Sequence, residues 1–363
     1  MVSNPLTHLN MIPGNTCRVI LALLLASAPI TFAIQPDFAT EAVPHDIDDP
    51  AVWVNRADPA KSLILGTDKE KAPLGGVYAF DLDGKIVQRI TGVDRPNNID
   101  VAYSLRTASG SIDIAVAAER FQNQLRVWSI APSTGLLSDV TGSTKVFEGD
   151  KDEFAMPMGV STYRRRDGRI FAVVSRKTGP RFGYLHQYEL VANAQGEVDL
   201  RFVRAFGEFS TKKEIEAIAV DSWANVIYYS DETVGLRKYP ADPDARKSNE
   251  PLAFFRTSGF EGDHEGLAIY ADKGGRGYFV STDQIDGDSK YYVYRRRHAG
   301  EGRDSQPIAV FTGGADQTDG IEISSAALGT KFPKGLFIAM NSKDKNFLVY
   351  DWRKIAARLP ASN

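Results

Sequence analysis

Cysteine is all but missing. Cys17 is the only one in 363 residues, which excludes a disulfide framework and leaves packing, with or without bound metal, to hold the fold. The five histidines form no pair at metal-ligand spacing, so a zinc centre built on His and Cys is poorly supported. Basic residues are not in excess either: 43 Lys and Arg stand against 46 Asp and Glu, a formal net charge of −3, and no electrostatic footprint for nucleic acid results. Helical periodicity is confined to DWRKIAARL near the C-terminal end, which counts against an α/β organisation. What remains is a chain that is 43% hydrophobic, enough for a sizeable core, and of a length normal for one closed all-β architecture.

The first 33 residues differ from the rest. They carry one charged side chain, Arg18, followed by the apolar run VILALLLASAPITFA, which ends in small residues. That order of features marks a secretory signal peptide with cleavage after Ala33. The run is shorter than the roughly 20 residues that span a bilayer, so an uncleaved anchor is the weaker reading. Cys17 lies before the run and not at its end, which disfavours a lipid-modified start. Residues 1–33 are therefore expected to be a leader and 34–363 a single domain, exported to the periplasm or released, with no membrane segment after cleavage.

Internal repetition is the strongest pattern in that domain. Each unit opens on an acid or turn residue and a short apolar strand, continues in a second apolar strand with a polar end, and closes on a strand holding an aromatic. The first reads DDPAVWV, SLILGTD, GVYAFDLDG; the second NNIDVAY, IDIAVAAER, LRVWSI; the third MGVSTY, RIFAVVSRK, LHQYEL. The fourth reads EAIAVDS, VIYYSDE, LRKYPAD; the fifth EGLAIYA, GYFVSTD, YYVYRRR; the sixth DGIEISS, GLFIAMN, NFLVYDW. Aligned on Asp49, Asp100, Gly159, Glu216, Glu265 and Asp319, the copies recur about every 50 to 60 residues. Six copies of a three- or four-stranded unit at that period predict an all-β, six-bladed β-propeller. A β-sandwich of this length would not repeat itself. The first strand of each blade lines the central channel, which places the leading acids around one axis. Two basic triplets, Arg164–Arg166 and Arg295–Arg297, precede a DG turn and end a strand respectively, so solvated blade edges are expected there.

In HDIDDPAVW, residues 45–53, the carboxylates of Asp46, Asp48 and Asp49 fall within four residues and repel one another unless a cation or basic groups stand among them. Taken singly, each acid would be read as a solvated turn. Glu216, Glu232 and Glu265 open the fourth unit, end its second strand and open the fifth, so they should converge on one sector of the channel mouth. Asp48, Asp49 and Asp319 adjoin them across the closure. Oxygen-only ligands favour a hard cation, calcium over zinc.

The segments DDPAVW, GTDK, NNIDV, AAER, IEAIAVD, HEGLAIY, TDGIE and NFLVYDW, in that order, resemble the β-propeller phytases over about residues 40–355. The resemblance implies a calcium-dependent enzyme that binds several calcium ions and hydrolyses phosphate monoesters of inositol hexakisphosphate as its calcium salt. It further implies Glu216, Asp319 and Glu265 as catalytic acids, and Asp46, Asp48, Asp49, Asp100, Glu216, Glu232, Asp263, Glu265 and Asp319 as metal ligands. Ions held there would neutralise phosphate charge, polarise the phosphoryl oxygen and activate water for attack. Such a route needs no side-chain nucleophile, in line with the absence of a Ser or Cys nucleophile motif and of a histidine phosphatase signature. Lys69 in GTDKEK, Arg120 in AAERFQN and Lys177 in SRKTG match positions that hold substrate phosphates. Each of the three alone would be a solvated loop residue. A monomer acting on a small phosphorylated substrate, with no nucleic-acid or membrane partner, is expected.

Four positions depart from the family pattern. Ala102 stands where a basic residue is usual, Met158 where a tyrosine is common, Ala217 in place of the glycine of an EG pair, and Glu70 where some members have a second lysine. Each is expected to remove a phosphate or calcium contact or to alter a backbone approach. They keep open a second reading, a catalytically weak propeller that binds calcium and phosphorylated ligands or a protein partner. A propeller lactonase or esterase would also use channel calcium, but it does not predict the basic trio.

Overall fold

In a computed structural model, which describes residues 28–361, the apolar runs of the repeat are strands covered on both faces. Leu63–Asp68, Ile170–Arg176, Val226–Asp231 and Leu336–Asn341 are buried at every position. The reason is architectural: each is the second strand of an antiparallel sheet pressed between two neighbouring sheets. Six such sheets follow in chain order, covering residues 47–91, 96–139, 157–208, 218–255, 263–312 and 321–351; they are blades 1 to 6. Each blade meanders outward from the channel, its first strand innermost.

One apolar cluster fills each gap between neighbouring blades. Between blades 4 and 5, for example, Tyr228 stacks on Phe279 with ring centroids 4.4 Å apart. Fully burying one such large apolar side chain contributes about 1.5–3 kcal/mol, and all six gaps are filled this way, so the ring is held without cross-links.

Closure joins the two ends of the domain. Phe38–Ala39 precedes blade 1 in sequence yet pairs with Val349 and Leu348 as the outermost strand of blade 6. Thr40 fixes the approach, its hydroxyl accepting from Phe347 N at 3.0 Å. Of the expected leader, residues 1–27 lie outside the described residues. Ile30–Ala33 pairs in parallel with Ala309–Thr312 at the outer edge of blade 5 and is largely exposed, whereas the closing strand lies beyond Ala33.

DWRKIAARL forms the one α-helix among the described residues, Trp352–Ala356, with Asp351 capping it by accepting from Arg353 N at 2.9 Å. The basic triplets are not simply solvated. Arg296 is buried and grips Asp221 with two hydrogen bonds, at 2.5 and 2.6 Å, and Arg165 pairs with Asp167, Asp242 and Asp244. Both serve blade-to-blade packing and face away from the channel mouth described next.

Candidate active site

Every innermost strand approaches the channel mouth through the same irregularity. Pairing steps from Ile47↔Asp68 to Pro50↔Gly66 in blade 1, and likewise from Pro96↔Glu119 to Ile99↔Ala117, from Pro157↔Arg176 to Val160↔Val174, and from His264↔Asp283 to Leu267↔Ser281. In each step two residues oppose one, a β-bulge, which turns a side chain out of the ladder. Backbone bonds from Ser230 N to Ala217 O and from Met340 N to Gly320 O continue the pattern into blades 4 and 6. The first bulge residues are Asp48, Asn97, Met158, Glu216, Glu265 and Asp319, and they form a ring around the mouth. The second are Asp49, Asn98, Gly159, Ala217, Gly266 and Gly320. Glycine is required at some of these: a Cβ on Gly159 would lie 1.8 Å from Glu216 O, and one on Gly320 2.5 Å from Asp49.

A second set of equivalent positions lies at the mouth end of each blade's second strand: Lys69, Arg120, Lys177, Glu232, Gln284 and Ser342. The backbone N–H of Lys69 donates to Asp46 O, of Arg120 to Arg95 O, of Lys177 to Met156 O and of Glu232 to Glu214 O. The residue just before each is a buried polar side chain that pins the incoming loop. Asp68 accepts from Asp46 N at 2.7 Å, Glu119 from Asp94 N at 2.8 Å, Asp231 from Ser210 N at 3.0 Å, Asp283 from Gly262 N at 2.8 Å and Asn341 from Asp316 N at 3.1 Å; Arg176 instead donates to Phe154 O at 3.3 Å. The mouth is thus basic on blades 1 to 3 and acidic or amide-bearing on blades 4 and 5.

The charges meet in the middle. Lys69 Nζ lies 2.6 Å from Asp48, 3.5 Å from Asp319 and 3.9 Å from Glu216. Asn97 donates its amide to Glu216, and Gln284 donates to Asp319. Glu232 is shared by two groups, Glu214–Glu216–Glu232 and Glu232–Asp263–Glu265, whose ligand oxygens lie within 4.8 Å of one another. Lys213 reaches Asp263 at 2.5 Å and Glu232 at 3.0 Å, and Lys177 pairs with Glu214. Burial, then neighbouring carboxylates, push Glu232 up to about 9 and Glu265 well above the carboxylate range. Burial likewise lifts Asp319 to about 8 against the pull of Lys69. Burial works against the Lys69 ammonium, yet Asp48, Glu216 and Asp319 hold it well above its ordinary value. Arg120 is buried, and that burial lowers its guanidinium.

Several buried oxygens here have no hydrogen-bond donor among the described residues: Asp48 Oδ2, Glu232 Oε1, and the amide oxygens of Asn97 and Asn98. Orphaned acceptors that are all carboxylate or amide oxygen suit a hard divalent cation, calcium before zinc.

The sequence-predicted acids divide into three. Asp48, Glu216, Glu265 and Asp319 lie in the ring, with Glu232 and Asp263 joined to it. Asp49 and Asp100 lie below, lining a channel cavity of ≈ 150 Å³. Asp49 accepts from Ile99 N at 3.0 Å, and Asp100 accepts from Thr162 N at 2.6 Å and from Ser161 Oγ at 3.1 Å. The repeat alignment on Asp49, Asp100 and Gly159 is therefore displaced from the ring residues Asp48, Asn97 and Met158. Asp46 is exposed at the rim. Among the departures, Met158 is a ring position but buried, Ala217 packs between blades 4 and 5, and the Glu70 carboxylate accepts from Lys71 N at 2.7 Å. Ala102 does not face the mouth at all. It packs in the core between blades 2 and 3, so the expectation that it removes a phosphate contact is overturned. Glu214 and Lys213 escaped sequence reasoning. Glu214 had a signal, the acid-x-acid spelling shared by Asp46-Ile47-Asp48, Glu214-Ile215-Glu216 and Asp263-His264-Glu265.

Comparison with known proteins adds three findings. The sequence model of the Phytase family matches residues 9–362. A curated relative, the 3-phytase of Bacillus subtilis (strain 168), is 29% identical over 327 residues, which is 86% of this chain and 81% of that one. Among solved structures, the calcium-binding protein regucalcin from Agrobacterium tumefaciens matches with a TM-score of 0.50 at 14% identity, covering 92% of each chain, a likeness of fold alone. With the family match running over nearly the whole of a six-bladed propeller, this chain belongs to the phytase family.

Proposed function

We propose that the protein is a phytase that removes phosphate from myo-inositol hexakisphosphate, giving lower inositol phosphates and inorganic phosphate, with several calcium ions at the channel mouth. The observation that carries this reading is the divided ring. Lys69, Arg120 and Lys177 hold on blades 1 to 3 the position that Glu232 and Gln284 hold on blades 4 and 5, so a phosphate-binding side faces a cation-binding side across one opening. Asp48, Glu216 and Asp319, with Glu214, Glu232, Asp263 and Glu265, would hold the calcium. When bound, it supplies positive charge against the phosphate oxygens and Lewis acidity toward the phosphoryl group and the attacking water.

The chain's own groups supply binding and orientation. The Arg120 fork suits bidentate contact with a phosphate, while Lys69 and Lys177 act as point charges. Glu216 and Asp319 present carboxylate oxygens from different blades to water entering the ring, and Asn97 and Gln284 fix their direction by donating to them. Residues 1–33 serve as a leader cut after Ala33, and the mature chain acts as an exported monomer, periplasmic or released. Removal of Ile30–Ala33 leaves the closing strand Phe38–Ala39 in place. Met158, apolar at a ring position, is the observation that favours a weak phosphate-binding propeller as the second reading. Phosphate release from calcium phytate separates the two: release that stops with chelator and returns with calcium supports the enzyme, and none under any calcium level removes it.

A further inference from the structure

Lys213 has none of the roles above. It stands in the loop entering blade 4, one residue before Glu214, and both flanks of that loop are pinned. Ser210 donates to Asp231 from its N and Oγ at 3.0 and 2.6 Å, and Glu214 O accepts from Glu232 N at 3.1 Å. Its side chain, 41% exposed, reaches across to blade 5, so that Nζ sits 2.5 Å from Asp263 Oδ2 of that blade and 3.0 Å from Glu232 Oε2 of blade 4. At the equivalent position the other blades carry His45, Asp94, Ala155, Gly262 and Asp316, so an ammonium there is confined to the blade that borders the Glu232–Asp263–Glu265 group.

The lysine answers the charge of that group but not its geometry. Glu232 is fully buried, and Lys213 meets only its Oε2, at 3.0 Å, so Oε1 stays without a donor. An ammonium offers one charge and three donors; calcium offers two charges and gathers six to eight oxygens. An ammonium 2.5 Å from Asp263 and 3.0 Å from Glu232 takes the space that a calcium ion among those oxygens would need, so occupancy by either opposes the other.

We propose that Lys213 is a tethered counter-cation for Glu232, Asp263 and Glu265. It holds these acids together when no divalent ion is bound and is displaced toward solvent when one binds, which lowers the apparent calcium affinity of the group below what the acids alone would give. The inference rests on the reading of these acids as calcium ligands.

Titration calorimetry of chelator-stripped protein with calcium chloride tests it. Lys213→Met should bind its tightest ion roughly ten- to a hundredfold more strongly than wild type, the scale set by losing charge-assisted contacts that compete. Lys212→Met, which removes the same charge from the exposed neighbouring residue, should change affinity by less than about threefold. Lys213→Met should also melt below wild type in chelator and level with it in saturating calcium, since the ion replaces the lost ammonium. Equal affinity in wild type and Lys213→Met, or equal gains in both Met variants, overturns the inference while leaving the calcium reading intact. Wild type that takes up no calcium removes both. Should Lys213→Met not survive chelation, Lys213→Arg decides: a retained tethered cation should keep calcium affinity within about threefold of wild type, and a tenfold rise would contradict the proposal.

Discussion

Lys69 and Glu232 occupy equivalent positions in blades 1 and 4. Each directly follows a second strand, and each donates its backbone N–H to the residue two places before a ring acid, Lys69 to Asp46 O at 2.7 Å and Glu232 to Glu214 O at 3.1 Å. One backbone geometry thus presents an ammonium on one side of the mouth and a carboxylate on the other. Fold symmetry supplies the positions, and residue choice makes one cationic and the other anionic.

Replacing Glu216 or Asp319 by Ala is expected to reduce phosphate release to background. Both face the Lys69 ammonium, and each is oriented by a neighbouring amide. Steady-state turnover with calcium phytate checks this, and wild-type rates in both variants would refute the assignment.

Arg120→Ala and Lys177→Ala should act on KM. One charge-assisted contact is worth about 1.5–3 kcal/mol, or roughly ten- to a hundredfold in affinity, so KM should rise on that scale while calcium affinity holds. Lys69→Ala should behave differently, because its ammonium also neutralises Asp48, Asp319 and Glu216. It should lower the melting temperature in chelator as well.

The buried acids set a pH dependence with a definite sign. Glu232 and Asp319 are lifted to about 9 and about 8 from ordinary values of 4.5 and 3.8. Between those limits the folded state binds more protons than the unfolded one, so stability falls as pH rises. Calcium-free protein should melt at a higher temperature at pH 5 than at pH 8.5, and calcium should weaken or reverse the trend because it binds the ionised acids. Calorimetric scans in chelator at the two pH values decide; a melting temperature that rises with pH in chelator would count against it.

Ala102→Arg should not improve substrate binding. The side chain lies in the core between blades 2 and 3, 3% exposed and paired in register with Ile114, and an unpaired charge buried there costs about 3 kcal/mol or more. Urea denaturation should show that loss.

Much of this was legible in the chain. The six units could be read because every sheet is covered on both faces, which spells continuous apolar runs such as LILG and IFAVV between polar turns. Register at the mouth could not. A β-bulge inserts one residue without disturbing the apolar pattern, which is why alignment on Asp49, Asp100 and Gly159 missed Asp48, Asn97 and Met158 as the ring positions. Ala102 was misplaced for a related reason: alternation along Pro96–Thr107 turns Asp100 and Ala102 toward blade 3, one into the channel and the other into the core. The loop pins Asp68, Glu119, Arg176, Asp231, Asp283 and Asn341 share a place but not a residue type, so no motif announces them. Lys213 meets Asp263 from 50 residues away, a contact that only the ring arrangement of the blades creates.

On the proposed function, one channel mouth binds calcium on its acidic side and phosphate on its basic side. Diffraction from crystals grown with calcium and a non-hydrolysable inositol hexasulfate tests it most directly. Anomalous calcium density is expected among Asp48, Glu214, Glu216, Glu232, Asp263, Glu265 and Asp319, with sulfates on Lys69, Arg120 and Lys177. Calcium confined to other loops, or a hexasulfate seated away from these three bases, would contradict it.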